Sequence, residues 1–225
     1  MRTWGRVHRA WPTADWVVIT GADPTYRDLY LARWQRQWRL HHAEWPTHCL
    51  VTHEDHEIRM PEQFTQHQRA GIYQAARFWW VGRNILPHQR VLISDIDLCV
   101  TQRFPEGHLA ELRGAQHSLF TEHNQRLMAT WVLALGRDRA AWQGVAEILE
   151  HELANDWRDG ADQRAMARVF QRGHNTFGRE WLTHDDVPRE HSRRGRVPES
   201  RWRAHPLCHV KGTRGKHLSY DHLLT

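Results

Sequence analysis

Arg90-Val91-Leu92-Ile93-Ser94-Asp95-Ile96-Asp97 decides how the rest of the chain is read. The consecutive apolar residues Val91, Leu92 and Ile93 predict a strand covered on both faces, as in a parallel sheet. Two carboxylates then stand at its C-terminal end. Carboxylates in such a place are costly unless paired or bound to a cation. A hard divalent ion with oxygen ligands removes that cost. Side chains two positions apart in an extended segment project to the same side, so Asp95 and Asp97 can share one ion. Such an ion neutralises a diphosphate, both when it binds and when it departs. The bland alternative is a surface turn with two solvated aspartates.

Working outward, strands and helices alternate. Trp16-Val17-Val18-Ile19-Thr20, closed by Gly21, predicts a buried strand. Asp23-Pro24 has the form of a helix start, an N-cap followed by Pro at the first helical position. Tyr26, Leu29, Tyr30, Trp34 and Trp38 recur at helical spacing and predict one inward face. Cys49 to Thr52 reads as a second strand, Gln66 to Val81 as a helix with Trp79-Trp80 in its core face, and Trp131 to Leu135 as a further strand stopped by Gly136. Arg139 to Asn155 and Ala161 to Gln171 complete the helices, with Met166, Val169 and Phe170 inward. The expected fold is α/β: a single Rossmann-like domain over residues 1–225, its mostly parallel central sheet flanked by helices. Ligands in such sheets sit at the carboxyl ends of the strands, here Thr20 to Asp23 and Asp95 to Asp97.

The 225 residues, 40% hydrophobic and 25% charged, suit a globular chain and exclude a disordered one. No run of roughly 18 apolar residues exists, so no transmembrane helix is expected. Met1 to Trp11 is basic with no apolar run behind it, so no secretory signal is expected either. The expected location is the cytoplasm, of a bacterium or a phage-infected host. Cys49, Cys99 and Cys208 are too widely spaced for a metal knuckle and are expected as buried thiols. The net charge of +5 is concentrated. From Val187 to His217 there are seven arginines and two lysines against Glu190 and Glu199, a local +7 that leaves −2 for the remainder. The arginine-rich segment 187–225 is therefore suited to an anionic ligand.

The strand at Arg90 to Asp97 resembles the Asp-x-Asp strand of the GT-A glycosyltransferases, most closely the retaining family-eight type. That resemblance implies a GT-A-like fold, a Mn²⁺ or Mg²⁺ ion and a UDP-linked nucleotide-sugar donor. It is carried by further matches in the family's order, running from about residue 16 to 216. Ala22-Asp23 with Tyr26 is similar to an Asp-x-x-Tyr element that frames the nucleobase, just after Thr20. Arg77 lies at about the distance of the family's arginine before the Asp-x-Asp. Asp162-Gln163 is similar to the Asp-Gln element beside the sugar and acceptor. His209-x-x-Gly212 resembles the C-terminal His-x-x-Gly whose His completes the metal site. The implied metal ligands are Asp95, Asp97 and His209. The same resemblance implies that Asp95 also touches the nucleotide. Two departures stand out. Ala129-Thr130-Trp131 occupies the place of an Asn-Ala-Gly-like segment. Lys216 follows Gly212 by four residues where the family has three, so either Lys216 or Arg214, with Lys211 nearby, is the diphosphate contact.

Other candidates have plainer readings beside the functional one. His209 alone would be a structural histidine; Pro206 between it and His205 argues against a helical metal pair. As a ligand its imidazole must be neutral, so metal binding would weaken as pH falls. Asp162 reads as the N-cap of the helix that follows it. Gln163 is neutral and cannot be a strong base. Asp185 and Asp186 read as a solvated turn or, for Asp186, as a base or acceptor contact. His53-Glu54-Asp55-His56-Glu57 lacks apolar framing and reads as a solvated loop. The acceptor hydroxyl would belong to a hydroxymethylated pyrimidine in phage DNA or to a glycan or lipopolysaccharide. Competing classes are a basic nucleic-acid-binding protein without catalysis and another metal-dependent nucleotide enzyme, for which no glycine-rich phosphate loop is present.

Overall fold

A computed structural model of the chain describes residues 4–51, 58–123, 126–155, 157–170, 175–177, 181–185 and 206–210. The chain divides into two compact units. The first comprises residues 1–31, 46–96 and 116–176, the second residues 32–45, 97–115 and 177–225.

The first unit is built on a six-stranded sheet. Strand β1 (Trp16–Ala22) is buried from Val17 onward. Helix α1 (Pro24–His41) follows; it starts in this unit and continues into the other. Strand β2 (Thr47–Val51) pairs parallel to β1. Helix α2 (Gln66–Asn84) opens with a reciprocal capping box between Thr65 and Gln68. It leads to β3 (Arg90–Ser94), which lies parallel to β1 on its other side. Strands β5 (Leu119–His123), β6 (Arg126–Leu135) and the short β7 (Asn175–Thr176) complete the order β2-β1-β3-β6-β5-β7. Three of the five pairings are parallel; β6 runs antiparallel to both β3 and β5. A single-turn 3₁₀ segment (Gly136–Asp138) passes into helix α4 (Arg139–Ala154), and α5 (Ala161–Val169) follows.

Val17, Ile19, Val91 and Ile93 join Phe78, Trp80, Trp142 and Leu149 in one core. Trp79 and Trp80 are core residues, as expected, with Trp4 stacked on Trp79 at 5.5 Å and Trp11 edge-on to Trp80 at 4.9 Å. Gln89, 1% exposed, satisfies its whole amide. It donates to the Pro12 and Ala14 carbonyls and accepts from the Leu86 amide and the Trp11 indole. Gly82 lets α2 and α4 approach closely, since a Cβ there would lie 2.3 Å from the Trp142 carbonyl.

The second unit holds the three-stranded sheet β4-β9-β8: β4 (Cys99–Val100), β8 (Leu182–Asp185) and β9 (Leu207–Val210). Helix α3 (Glu106–Gly114) belongs to it too. Cys99 and Cys208 face each other across β4 and β9 as buried free thiols, as expected; the Cys49 side chain lies outside the described residues. Trp38, His42, Trp45 and Phe104 form an aromatic cluster in which His42 stacks on Trp45 at 4.4 Å. Burial pushes the His42 imidazole down to about 4, against an opposing pull from Glu44.

Several sequence expectations need correction. Leu29 is 61% exposed, so the inward face of α1 is narrower than the spacing of Tyr26, Leu29 and Tyr30 implied. Strand β6 begins at Arg126, five residues before the expected start. Asp162 is not the N-cap of α5. Gly160 occupies that position at φ 73°, a left-handed conformation that suits glycine. The cluster His53 to Glu57 and the segment from Lys211 onward lie outside the described residues.

Two outcomes test this account. Gly82→Ala should lose roughly 1–3 kcal/mol or more through overpacking, whereas Gly107→Ala, with nothing within 4 Å, should be neutral or slightly stabilising; urea denaturation of both variants checks the pair. For His42, the folded pKa lies below the unfolded 6.5, so the unfolded chain binds the extra proton. Stability therefore falls as pH drops from about 6.5 to about 4, by roughly 2–3 kcal/mol for this group. The pH-dependent loss should shrink by that amount in His42→Gln.

Candidate active site

The site is built at the C-terminal ends of β1 and β3, within the first unit. These strands are parallel neighbours, with Ile19 opposite Ile93, so both end at the same edge. The next residue on β1, Thr20, is wholly buried and its hydroxyl donates to the Ser94 carbonyl at 2.8 Å. Thr20 thus braces the strand end beneath the surface. Just beyond, Asp23 caps α1 by accepting from the Tyr26 amide at 2.9 Å, and the Tyr26 ring lies 5.5 Å from that of Tyr30.

Arg77 reaches this edge from α2. Its approach depends on Gly21: a Cβ there would sit 2.8 Å from the Tyr73 carbonyl and 3.4 Å from the Arg77 Cβ. The guanidinium, 1% exposed, donates from Nη1 to the Ser94 carbonyl at 2.7 Å and from Nη2 to the Ala129 carbonyl at 3.0 Å. Nη2 also pairs with the Asp95 carboxylate. Asp95 keeps 20% of its side chain exposed, and its amide donates to the Thr130 carbonyl at 2.9 Å.

A bulge on the β5 side of β6 accompanies the Ala129 acceptor. Phe120 lies opposite Val132 but Thr121 lies opposite Met128, so Ala129, Thr130 and Trp131 have no partner residue on β5. Thr121 closes the gap with its single O–H, which lies within reach of both the Trp131 carbonyl at 3.0 Å and the Met128 carbonyl at 3.2 Å. The Ala129 carbonyl turns to Arg77, while the Thr130 carbonyl continues the β3–β6 ladder by accepting from the Asp95 amide. The departure from the resembled family, Ala129-Thr130-Trp131, therefore coincides with an irregularity that no strand pattern signals.

Asp162 joins the same charge cluster from the first turn of α5. Its carboxylate, 8% exposed, accepts from the Gln163 amide at 2.8 Å. Burial pushes its carboxyl above the ordinary 3.8; the Arg77 charge pulls it down and the Asp95 charge pushes it further up. Gln163 is half-buried beside it. The structure thus brings Thr20, Arg77, Asp95 and Asp162 together, with Asp23 and Tyr26 at the same end of the sheet.

In the second unit, Asp97 is half-buried and its carbonyl lies 3.9 Å from the Cys99 Sγ. Burial pushes the Cys99 thiol up. The backbone of His209 lies on β9 opposite His184 of β8, and that of Asp185 lies opposite Val210. The side chains of His209 and Asp185, and all of Asp186, Gly212, Arg214 and Lys216, lie outside the described residues. Among the described residues, no three His, Cys, Asp or Glu side chains gather as a metal cage, and no helix is long and apolar enough to cross a membrane. Sequence reasoning found Arg77 only through its distance from Asp95. It missed the Ser94 and Ala129 carbonyls, because main-chain acceptors leave no mark on residue identity.

No protein-family model matches the chain, and no curated protein matches it by sequence. Its fold matches solved structures. A glycosyltransferase involved in glycosylation of the major capsid of PBCV-1 superposes with a TM-score of 0.57 at 11% identity, over 91% of this chain and 98% of that one. The apo form of the glycosyltransferase GlyE from Streptococcus pneumoniae TIGR4 gives 0.56 at 14% identity, over 95% of this chain. The chain spans only 62% of the length of GlyE. The galactosyltransferase LgtC, in complex with donor and acceptor sugar analogs, gives 0.50 at 14% identity, over 89% of this chain and 88% of that one. At such identities the likeness is one of fold.

Arg77→Met should destabilise the chain by about 3 kcal/mol, the lower end for a broken buried pair because Asp95 is partly solvated. Arg77→Lys should recover only part, since one ammonium cannot span three acceptors held by a planar fork. Guanidinium denaturation decides, and a loss under about 1 kcal/mol in Arg77→Met would remove Arg77 from this role.

Proposed function

We propose that the chain is a metal-dependent glycosyltransferase that moves a sugar from a nucleotide sugar, UDP-linked, to a hydroxyl acceptor. One observation carries the reading most: a buried guanidinium holds a carboxylate at the end of a buried parallel strand, in a fold matched by glycosyltransferases. The ion is Mn²⁺ or Mg²⁺, held by Asp95, Asp97 and His209. The donor chemistry suits it, since carboxylate oxygens and a neutral imidazole are ligands such ions accept. Asp95 also retains the solvent exposure that a ligand needs. Bound there, the ion supplies charge neutralisation for the diphosphate.

The chain's own residues do the rest. Asp23 and Tyr26 frame the nucleobase, with Thr20 bracing the strand beneath them. Arg77 acts through Asp95, fixing the carboxylate against the Ser94 and Ala129 carbonyls. Gly212 and either Arg214 or Lys216 contact the diphosphate, preorganised for the charge that develops on departure. Asp162 and Gln163 sit beside the sugar, and Asp186 serves the acceptor hydroxyl as a base. The resemblance to the family-eight enzymes favours retention at the anomeric carbon.

For the acceptor, a glycan hydroxyl draws support from the neighbours, one of which holds an acceptor sugar analog. A hydroxymethylated pyrimidine in DNA is supported by the arginine-rich segment, +7 over Val187 to His217.

UDP with Mn²⁺ should raise the melting temperature of the chain, and EDTA should cancel both the shift and UDP-sugar turnover. Asp97→Asn should lose at least 100-fold in turnover, in line with removal of one preorganised electrostatic group, while melting normally without UDP. Turnover that survives EDTA ends the metal-dependent reading. Absence of duplex binding at low salt ends the DNA acceptor, since phosphate contacts are strongest there.

A further inference from the structure

We infer that the outward ridge of α1 docks the protein on an anionic lipid surface. Among the described residues, Leu29 and Leu40 are the large apolar side chains left exposed, at 61% and 59%. Single exposed leucines need no explanation. These two are not scattered. Both lie on one unbroken helix, Pro24–His41, so helix geometry alone sets their relation. The eleven positions between them make three turns plus about 20°, which puts them on one ridge about 16 Å apart.

The rest of the ridge is basic. Arg36 lies between the leucines, about 20° around the helix from Leu29, and Arg39 borders the ridge at about 80°. Both arginines are exposed. Neither has a hydrogen bond or an ion pair among the described residues. The only acid in the helix is Asp28. It stands about 100° to one side of Leu29 and is paired with Arg27 at 2.8 Å. The side away from the ridge is packed, since Tyr30, Trp34 and Trp38 are all buried. The helix therefore turns aromatic rings inward, and leucine and unpaired arginine outward.

An anionic lipid surface answers both features. Its headgroups complement arginines that have no acid beside them. Its acyl boundary takes leucine side chains out of water, while guanidiniums on long stems stay at headgroup level. A nucleic-acid backbone would satisfy the arginines and offer the leucines nothing. Two leucines and two arginines give reversible association rather than anchoring. No residue of the proposed sugar-transfer site is used, so either reading can fail without the other.

The test uses the full chain and two double variants, Leu29→Gln/Leu40→Gln and Arg36→Gln/Arg39→Gln. All four positions are exposed and glutamine is a good helix former; circular dichroism melts establish that both variants fold. The charge of +7 from Val187 to His217 attracts anionic lipid by itself, so the readout is the loss caused by changes in α1. Flotation measures partitioning onto vesicles of phosphatidylcholine alone and of phosphatidylcholine mixed two to one with phosphatidylserine. The full chain should prefer the mixed vesicles, and each double variant should partition onto them roughly tenfold less or weaker still. Equal partitioning by the full chain and the variants overturns the inference, as does equal partitioning onto neutral and mixed vesicles. Loss in the arginine variant alone also overturns it, because the contact is then electrostatic without insertion. Weakened duplex DNA binding in the arginine variant, with lipid binding unchanged, assigns the ridge to nucleic acid instead. A leucine-dependent dimer in sedimentation velocity without vesicles assigns it to a second copy of the chain, and either result removes the lipid reading.

Discussion

A guanidinium that is 1% exposed costs several kcal/mol to bury, and pairing with a carboxylate and carbonyls is what makes that burial tolerable. Arg77 meets most of that need through Nη1 and Nη2, which find two carbonyls and one carboxylate while Nε stays buried without a hydrogen-bond partner, and each partner constrains a different element. Ser94 ends β3, Ala129 lies in the β6 bulge, and Asp95 begins the turn that follows the strand. Gly21 is needed because α2 must lie against the end of β1 for the arginine to arrive. The strand end, the bulge and the glycine are thus consequences of one charge that must be satisfied.

The same charge organises the electrostatics above it. Asp95 is drawn to Arg77, and Asp162 is buried beside both, its carboxyl held up by burial and by Asp95 and held down by Arg77. One positive charge therefore serves two acids at the edge of the sheet. Helix α5 carries the contrast further. Asp162 turns toward this cluster, while Arg164 and Arg168 on its far side meet Glu152.

Much of the fold was legible locally. Val17-Val18-Ile19 and Val91-Leu92-Ile93 are strands buried on both faces, and no amphipathic reading competes with them. Helix α2 announces its start through Thr65 and Gln68. The short strands β4, β5, β7 and β8 were not legible. Segments such as Asn175–Thr176 or Leu182–Asp185 have too few residues for any period to register, and they exist because a partner strand is present. Leu29 misled because Tyr26, Tyr30 and Trp34 flank it at helical spacing, yet what buries a residue is a neighbouring surface.

At 11–14% identity to the structures it matches, what this chain shares with them is a fold, and its own sequence carries a pattern of apolar strands ending in polar residues. By itself the sequence determined that pattern: which strands are buried, that Asp95 and Asp97 follow one of them, and that Arg77 lies a helix away. Those features depend on residue type and spacing, which are properties of the chain. Only tertiary structure decided that Arg77 is directed to Ser94, Asp95 and Ala129, that Gly160 rather than Asp162 caps α5, and that β6 bulges where Arg77 meets the Ala129 carbonyl. Main-chain carbonyls are chemically alike at every position, so packing alone selects which of them a buried charge will find.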